Sequence, residues 1–235
     1  MKRSKLTAQW IPVYALMLLA GLLIAAFGDK ALTVMSENTY TDTRHCIIID
    51  AGHGGVDGGA TSCTGVPESQ LNLQIALRLN DLLHLLGYRT NMIRTEDISV
   101  YTSGDTIAAK KISDLKERVR IIDETEKAIL ISIHQNYFTD SRYSGAQVFY
   151  PGTQGSEIFA KDMQNKFVTS LNPGSNRQAK RISGVYLMEH IQCTAVLVEC
   201  GFLSNPEEEE KLRCAQYQKK LCCVIAASVG SFLLS

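Results

Sequence analysis

The stretch CIIIDAGHGG, residues 46–55, is the most informative part of this chain for its fold. An apolar run ends at Asp50, and the glycines that follow let the backbone turn sharply where His53 is presented. Two later runs have the same form: ILISI at 129–133 stops at His134, and AVLV at 195–198 stops at Glu199. Runs of this length, bounded by turn residues or polar residues, predict buried strands.

Helix-like segments alternate with these strands. Leucine and isoleucine recur at three- and four-residue spacing over 71–86, and Gly87 supplies a C-terminal stop. Asn205-Pro206 is a cap and first-turn pair for a final helix, which we expect to break near 214–216 and resume. No regular element is predicted for 96–113. The remaining helices are predicted at 114–124 and 157–171, and the strands at 46–50, 88–94, 128–134, 146–150, 185–188 and 195–200. This order predicts one α/β domain over 45–235 with a mostly parallel sheet.

The N-terminus differs from this domain. Lys2, Arg3 and Lys5 precede the uncharged stretch 11–27. Residues 1–28 therefore read as a signal peptide or an uncleaved membrane anchor, and the polar segment 29–44 as a linker. Because the cations stay on the cytoplasmic side, we expect the domain to be exported, either membrane-anchored or secreted to the cell wall, with membrane contact only through this segment.

Composition excludes some partners and chemistries. The whole chain has 24 basic and 24 acidic residues, and removing the three N-terminal cations leaves a net charge of −3, which argues against nucleic acid. The glycine-rich loop after Asp50 lacks the Gly-Lys-Ser/Thr ending of a phosphate loop. The seven cysteines form no CxxC pair and are odd in number, so most are interpreted as small buried side chains.

Four polar residues converge if the sheet is parallel. His53, His134 and Glu199 follow strand ends, which share one edge of an open sheet, and Glu68 would reach that edge from the start of the next helix. Two imidazoles and one carboxylate form a catalytic zinc set with an open fourth position, and a second carboxylate beside it would complete a metallohydrolase.

Each residue also has another interpretation when read alone. Glu68 could only stabilise a helix start, His134 could be structural, and Glu199 could form a buried salt bridge to Arg177 or Arg181. A cysteine-containing metal site or a Cys/His nucleophile, using Cys63 or Cys200, is a further alternative. Strand alternation would, however, turn Cys200 away from the face that carries Glu199.

Several ordered motifs resemble the zinc-dependent N-acetylmuramoyl-L-alanine amidases of the type 3 group. They span residues 46–212 and comprise IIIDAGHGGVDGGA, PESQLNLQIALRLNDLL, NMIRTED, ILISIHQN, SGAQVFY and AVLVECGFLSNPEEEEKL. The resemblance implies zinc ligands at His53, Glu68 and His134 and a catalytic glutamate at Glu199. Ala51 stands where that family usually has proline.

The same resemblance implies a single domain with a twisted six-stranded, mostly parallel sheet flanked by helices on both faces. It implies hydrolysis of the amide between N-acetylmuramic acid and L-alanine, and residues 94–123 look closest to germination-specific, spore-cortex amidases. Asn136 and Arg177 are weaker candidates for substrate contacts, because they lie beside the expected site or on the approach to it. We expect a monomeric domain that acts on peptidoglycan, and a protein activator stays open.

Two rival functions remain at this point. One is a non-catalytic peptidoglycan-binding protein on the same fold, against which the full ligand set and Glu199 argue. The other is a glycan-cutting hydrolase that uses Glu68 and Glu199 as paired carboxylates without a metal.

Overall fold

The computed structural model describes residues 45–234, so the expected leader at 1–28 and the expected linker at 29–44 lie outside the described residues. Within residues 45–234, no helix has the length and apolar character needed to cross a membrane. The described strands are β1 (Cys46–Ala51), β2 (Arg89–Met92), β3 (Ala128–Asn136), β4 (Gln147–Tyr150), β5 (Lys180–Arg181) and β6 (Thr194–Phe202). The helices are α1 (Glu68–Leu85), α2 (Ile107–Asp123), α3 (Ser156–Ser170), α4 (Tyr186–His190), α5 (Pro206–Arg213) and α6 (Ala215–Leu234).

The six strands form one sheet in the order β2-β1-β3-β6-β4-β5. All neighbouring pairs are parallel except β4 and β6, which run antiparallel. In the central pair, His134 of β3 lies opposite Glu199 of β6. Gln147 of β4 lies opposite Glu199 on the other side of β6. The predicted fold class, a mostly parallel six-stranded sheet in one α/β domain, is confirmed.

Helices cover both faces of the sheet, as predicted. One face of the central strands packs against α1, α3 and α6, through residues such as Ile49, Ile131 and Val198. The opposite face packs against α2 and α4, through residues such as Leu130 and Leu197. Because side chains alternate along a strand, Asp50, Ser132, His134 and Glu199 all belong to the second face. The polar residues therefore collect at the end of one face of the sheet.

The predicted start of one helix and the predicted type of one short element were wrong. Helix α2 begins at Ile107, inside the segment for which no element was predicted, because the side chain of Thr106 caps it by accepting a hydrogen bond from the backbone N–H of Ala109 (3.1 Å). The apolar run 185–188 forms helix α4 rather than a strand, and the neighbouring strand is β5. A short apolar run fits either element, and here the packing of Leu187 and Met188 on the sheet decides.

The predicted C-terminal helix, capped at Asn205 and broken near 214–216, is confirmed. The side chain of Asn205 accepts hydrogen bonds from the backbone N–H groups of Glu207 and Glu208, with Pro206 in the first turn of α5. The chain breaks at Cys214 and resumes as α6. Helix α6 then packs on α1 and α3, which completes the core on that face.

Candidate active site

The loop after β1 presents His53 in an unusual backbone conformation. Its φ is 61°, in the left-handed region that non-glycine residues rarely adopt. Two buried arginines hold this turn through its carbonyl groups: Arg94 donates to the oxygens of Ala51 (2.8 Å) and Gly52 (3.1 Å), and Arg118 donates to that of His53 (2.8 Å). The strained conformation is therefore fixed from two sides by buried side chains.

Glu68, the first residue of α1, lies between the two histidines. Its Oε2 is 3.3 Å from Nε2 of His53, and its Oε1 is 3.0 Å from Nδ1 of His134. One ligand atom from each of the three residues lies within 4.8 Å of the other two. Among the described residues, this is the group of histidine, cysteine and acidic side chains that is compact enough to hold a metal ion.

Backbone and amide groups orient the Glu68 carboxylate. The N–H of Ala60 donates to Oε2 (3.0 Å), while the N–H of Gln135 (3.1 Å) and the side chain of Asn72 (3.2 Å) donate to Oε1. Burial alone would raise the pKa of Glu68, but the hydrogen bonds and charges of His134 and His53 outweigh it and hold the pKa well below its usual range. Glu68 is therefore ionised and preoriented, as a metal ligand must be.

At two positions, only glycine leaves enough room for the side chains of the cluster. A Cβ on Gly52 would lie 2.2 Å from both Cε1 and Nε2 of His134. A Cβ on Gly59 would lie 2.6 Å from Oε2 of Glu68 and 2.8 Å from Cδ2 of His53. The rings of His53 and His134 meet edge to face, with centroids 5.0 Å apart. Any side chain at these glycines would enter the site.

Glu199 lies beside this cluster and lines the same cleft as His53 and His134. Within residues 45–234 it forms no salt bridge, and its buried Oε2 has no hydrogen-bond partner. Burial, with the nearby Glu68 charge, raises the pKa of Glu199 to about 7 against the opposing effect of the two histidines. A carboxyl group with a pKa near neutrality can both accept and donate a proton, which suits a general acid–base.

A cleft of about 380 Å³ opens over these residues. His53, His134 and Glu199 line it on one side. The lining also includes an apolar group, formed by Leu115 with Ile182, Gly184, Val185, Tyr186 and Leu187, and a charged group, formed by Asp57, Lys111, Asp114 and Arg118. The cleft therefore combines ionisable side chains with apolar surface on which part of a substrate could rest.

A buried ion pair lies under the cleft floor. The guanidinium of Arg118 donates to Asp50, and Ser132 donates to the other carboxylate oxygen at 2.6 Å. Burial would raise the pKa of Asp50, but the charge of Arg118 and the bond from Ser132 hold it below its usual range. Arg118 also donates to Asp114 of its own helix at 2.6 Å. This network ties α2 to the strand ends that carry the site.

The weaker substrate candidates occupy different places. Asn136 ends β3 opposite Phe202. Arg177 donates to the carbonyl of Ser144 (2.9 Å) and to the side chain of Gln147 (3.3 Å), and its guanidinium lies 4.9 Å from the ring of Phe202. Neither residue lines the cleft. Their role in substrate binding stays a prediction.

The alternative interpretations gain no support from the geometry. Arg177 makes its contacts with Ser144 and Gln147, and Arg181 lies in edge strand β5, so neither provides the salt bridge considered for Glu199. Cys200 is buried on the opposite face of β6, where burial raises its thiol pKa well above the usual value. Cys63 is exposed. No described cysteine joins the cluster of His53, Glu68 and His134.

The sequence did not indicate several residues around the site. Asp57 lies 3.1 Å from His53, and Lys111 of α2 lies 3.0 Å from Asp57. Arg118 and the apolar lining at 182–187 were also missed. An arginine facing inward on α2 is a signal that periodicity could have given, had the helix been predicted from its true start.

Comparisons with known proteins agree with this arrangement. Residues 47–231 match the N-acetylmuramoyl-L-alanine amidase family. A germination-specific N-acetylmuramoyl-L-alanine amidase of Bacillus subtilis (strain 168) is 38% identical over 181 residues, which cover 76% of this chain and 76% of that protein.

Two solved structures share the fold at appreciable identity. The CwlD amidase from Clostridioides difficile, solved in complex with the GerS lipoprotein, superposes with a TM-score of 0.78 at 35% identity, covering 81% of this chain and 98% of that one. An N-acetylmuramoyl-L-alanine amidase from Clostridium difficile 630 gives a TM-score of 0.71 at 30% identity, with 83% and 99% covered.

Proposed function

The chain belongs to the N-acetylmuramoyl-L-alanine amidase family and is a peptidoglycan amidase, and we propose that it depends on zinc held by His53, Glu68 and His134. The observation that carries the proposal is the convergence of these three side chains within 4.8 Å. Two imidazoles and one carboxylate leave a fourth position open, which is the catalytic pattern for zinc. A zinc ion bound there supplies Lewis-acid chemistry, by polarising the carbonyl group under attack.

The residues present fit such an ion. Glu68 is ionised and held by three donors, so its orientation does not depend on the metal. Gly52 and Gly59 keep side chains out of the cluster, and any larger residue would fill it. Glu199 lines the same cleft, and its buried Oε2 has no hydrogen-bond partner among the described residues. A buried polar atom without a partner is explained if a ligand binds beside it. These features support a metal site rather than a purely structural cluster.

Glu199 carries the proton transfers in this proposal. It accepts a proton from the water that attacks the lactyl carbonyl, and then donates that proton to the leaving amine of L-alanine. A pKa of about 7 permits both steps near neutral pH. General acid–base help of this kind contributes roughly 10² to 10⁴ in rate. Asn136 and Arg177 are retained as substrate contacts in this proposal, since Asn136 ends β3 two positions after His134, and Arg177 donates to Gln147, which lies opposite Glu199.

The test measures zinc content together with the release of new L-alanine amino termini from peptidoglycan. We expect one zinc per chain in the wild type and loss of both zinc and cleavage in His53→Ala. His84→Ala, at an exposed position of α1, is the matched control. Glu199→Gln should bind zinc and lose cleavage by roughly 10² or more, whereas Glu210→Gln, exposed on α5, should change neither.

Each rival has its own outcome in the same assay. New reducing ends instead of new amino termini would identify the glycan-cutting hydrolase. Binding to peptidoglycan with no product of either kind would identify the non-catalytic protein. Amide cleavage that survives the complete removal of zinc would refute the metal proposal.

The biological setting is also a proposal. One relative is named a germination-specific N-acetylmuramoyl-L-alanine amidase, so we propose that this amidase acts outside the cytoplasmic membrane in spore-cortex maturation. Residues 1–28 would direct export, as signal peptide or anchor, with 29–44 as linker and 45–235 as the catalytic domain. Expression in a Bacillus subtilis strain that lacks its germination-specific amidase tests this: restored germination supports the cortex role, and unrestored germination with an active enzyme contradicts it.

A protein partner is the last component of the proposal. The CwlD amidase was solved with a lipoprotein bound, and this chain covers 98% of that amidase. We therefore expect an exported activator to associate with this domain. Co-purification of the tagged protein from sporulating cells, compared with the Glu199→Gln variant, would show whether such a partner is present and whether its binding is independent of catalysis.

A further inference from the structure

The imidazole of His53 has two ring nitrogens that face different carboxylates. Nε2 lies 3.3 Å from Oε2 of Glu68, within the proposed zinc-ligand cluster. Nδ1 lies 3.1 Å from Oδ2 of Asp57, which is not part of that cluster. A histidine that binds a metal through one nitrogen donates its other N–H outward, and a carboxylate that receives this N–H fixes both the tautomer and the ring orientation.

We propose that Asp57 is a positioning residue that holds the proton on Nδ1 of His53 and so keeps Nε2 free to bind zinc. This inference rests on the proposed zinc site. It assigns a task to an acidic residue of the glycine-rich loop that the amidase chemistry does not itself use. The second carboxylate oxygen of Asp57 is occupied, because Oδ1 accepts the backbone N–H of Gly59 at 3.3 Å. The oxygen that interacts with Nδ1 of His53 is therefore Oδ2.

The loop fixes Asp57 independently of its side-chain contacts. The backbone N–H of Gly54 donates to the carbonyl of Asp57 (2.8 Å), and the N–H of Asp57 donates back to the carbonyl of Gly54 (3.2 Å). This pair of bonds closes a tight turn from Gly54 to Asp57, directly after His53. The turn therefore brings the Asp57 carboxylate back beside the His53 ring, 3.1 Å from Nδ1.

Helix α2 adds a second support from a distant part of the chain. Nζ of Lys111 lies 3.0 Å from Oδ2 of Asp57, so this oxygen interacts with both the lysine and the imidazole. The lysine side chain is 53% exposed and that of Asp57 is 28% exposed, so water screens this ion pair. We therefore assign the larger effect on His53 to Asp57 and the smaller one to Lys111.

The experiment measures the zinc dissociation constant by chelator competition in the full-length protein. Asp57→Leu removes the acceptor at similar volume and should weaken zinc binding about 10- to 100-fold. Asp57→Asn keeps an acceptor oxygen for Nδ1–H and should lose less than about 10-fold. Lys111→Met should lose less than about fivefold. The matched control is Lys110→Met, whose ammonium lies over the ring of Tyr101 instead and which should bind zinc as the wild type does.

A second readout separates positioning from general damage to the fold. The absorption spectrum of the Co²⁺-substituted protein reports ligand geometry, and we expect Asp57→Leu to alter it while Asp57→Asn stays close to wild type. Thermal unfolding of the zinc-free proteins shows whether each variant is folded. If Asp57→Leu does not fold, the comparison of wild type with Asp57→Asn provides the test.

The outcomes distinguish the two proposals. A wild-type protein that binds no zinc would remove the proposed function and this inference with it. Zinc bound by wild type and Asp57→Leu with equal affinity and equal Co²⁺ spectra would overturn the inference alone. Equal losses in Asp57→Leu and Asp57→Asn would also overturn it, because the acceptor that asparagine retains would then have no effect.

Discussion

Replacing Gly52 by alanine tests whether the position of the His134 ring controls the site. The new Cβ would lie 2.2 Å from two atoms of that imidazole, whereas an ordinary contact is 3.4 Å or more. The ring must therefore retreat by at least about 1.2 Å. On its other side, Nδ1 is 3.0 Å from Glu68, which three donors hold in place. The ring cannot move that far and keep its place in the cluster.

The expected effect follows from the tolerance of a metal site. Ligand atoms lie within about 0.2 Å of their preferred distances, and a misplacement of about 1 Å costs roughly 10² in rate. We therefore expect Gly52→Ala to lose at least about 100-fold in zinc affinity and a comparable factor in amide cleavage. The backbone of Gly52 does not occupy the left-handed region, and its N–H and carbonyl bonds remain possible. The variant should thus fold.

Gly58→Ala is the matched control, because its Cβ would meet only Cβ of Pro67, at 3.6 Å. Zinc affinity from chelator competition, release of L-alanine amino termini and circular dichroism would be measured for both variants. Gly58→Ala should behave as the wild type. A folded Gly52→Ala protein that binds zinc and cleaves peptidoglycan at wild-type levels would refute the placement of His134 in the metal site.

Four further predictions concern the surroundings of the site. Arg118→Met should lower the free energy of unfolding by about 3–5 kcal/mol in urea titrations, because it leaves Asp50 buried without its partner; a loss below 1 kcal/mol would contradict this. Since the pKa of Asp50 is lowered in the folded state, its stabilising effect is present above its unfolded pKa of about 3.9 and is lost as the pH falls through the folded value. The stability difference between wild type and Asp50→Asn, measured without zinc from pH 7 to pH 3, should therefore shrink on acidification, and a constant difference would argue against the shift. Arg177→Leu should raise KM for peptidoglycan while zinc affinity stays constant, and an unchanged KM would remove Arg177 as a substrate contact. Cys200→Ala should keep full cleavage at a cost of about 1 kcal/mol in stability, and an inactive but folded variant would revive the nucleophile interpretation.

The chain order of strands and helices could be predicted largely from local sequence. The apolar runs before Asp50, His134 and Glu199 marked the central strands, and the leucine stripe marked α1. Local sequence was insufficient at the start of α2, where a single cap at Thr106 sets the boundary, and at 185–188, where four apolar residues fit either element. In both places the decision depends on contacts that lie outside the segment itself.

The positions of the ionisable side chains at the strand ends could be predicted from the sequence alone, because an apolar run interrupted by an ionisable residue is a local signal of a buried strand meeting a cleft. Only the tertiary structure decided what surrounds them. Arg118 reaches Asp50 across 68 positions of the chain, and Lys111 reaches Asp57 from the same helix. The antiparallel placement of β4 beside β6 likewise sets Gln147 opposite Glu199. Pairings of this kind depend on how helices pack against the sheet and on the cost of leaving a buried charge unpaired, and neither is encoded in any short window of residues.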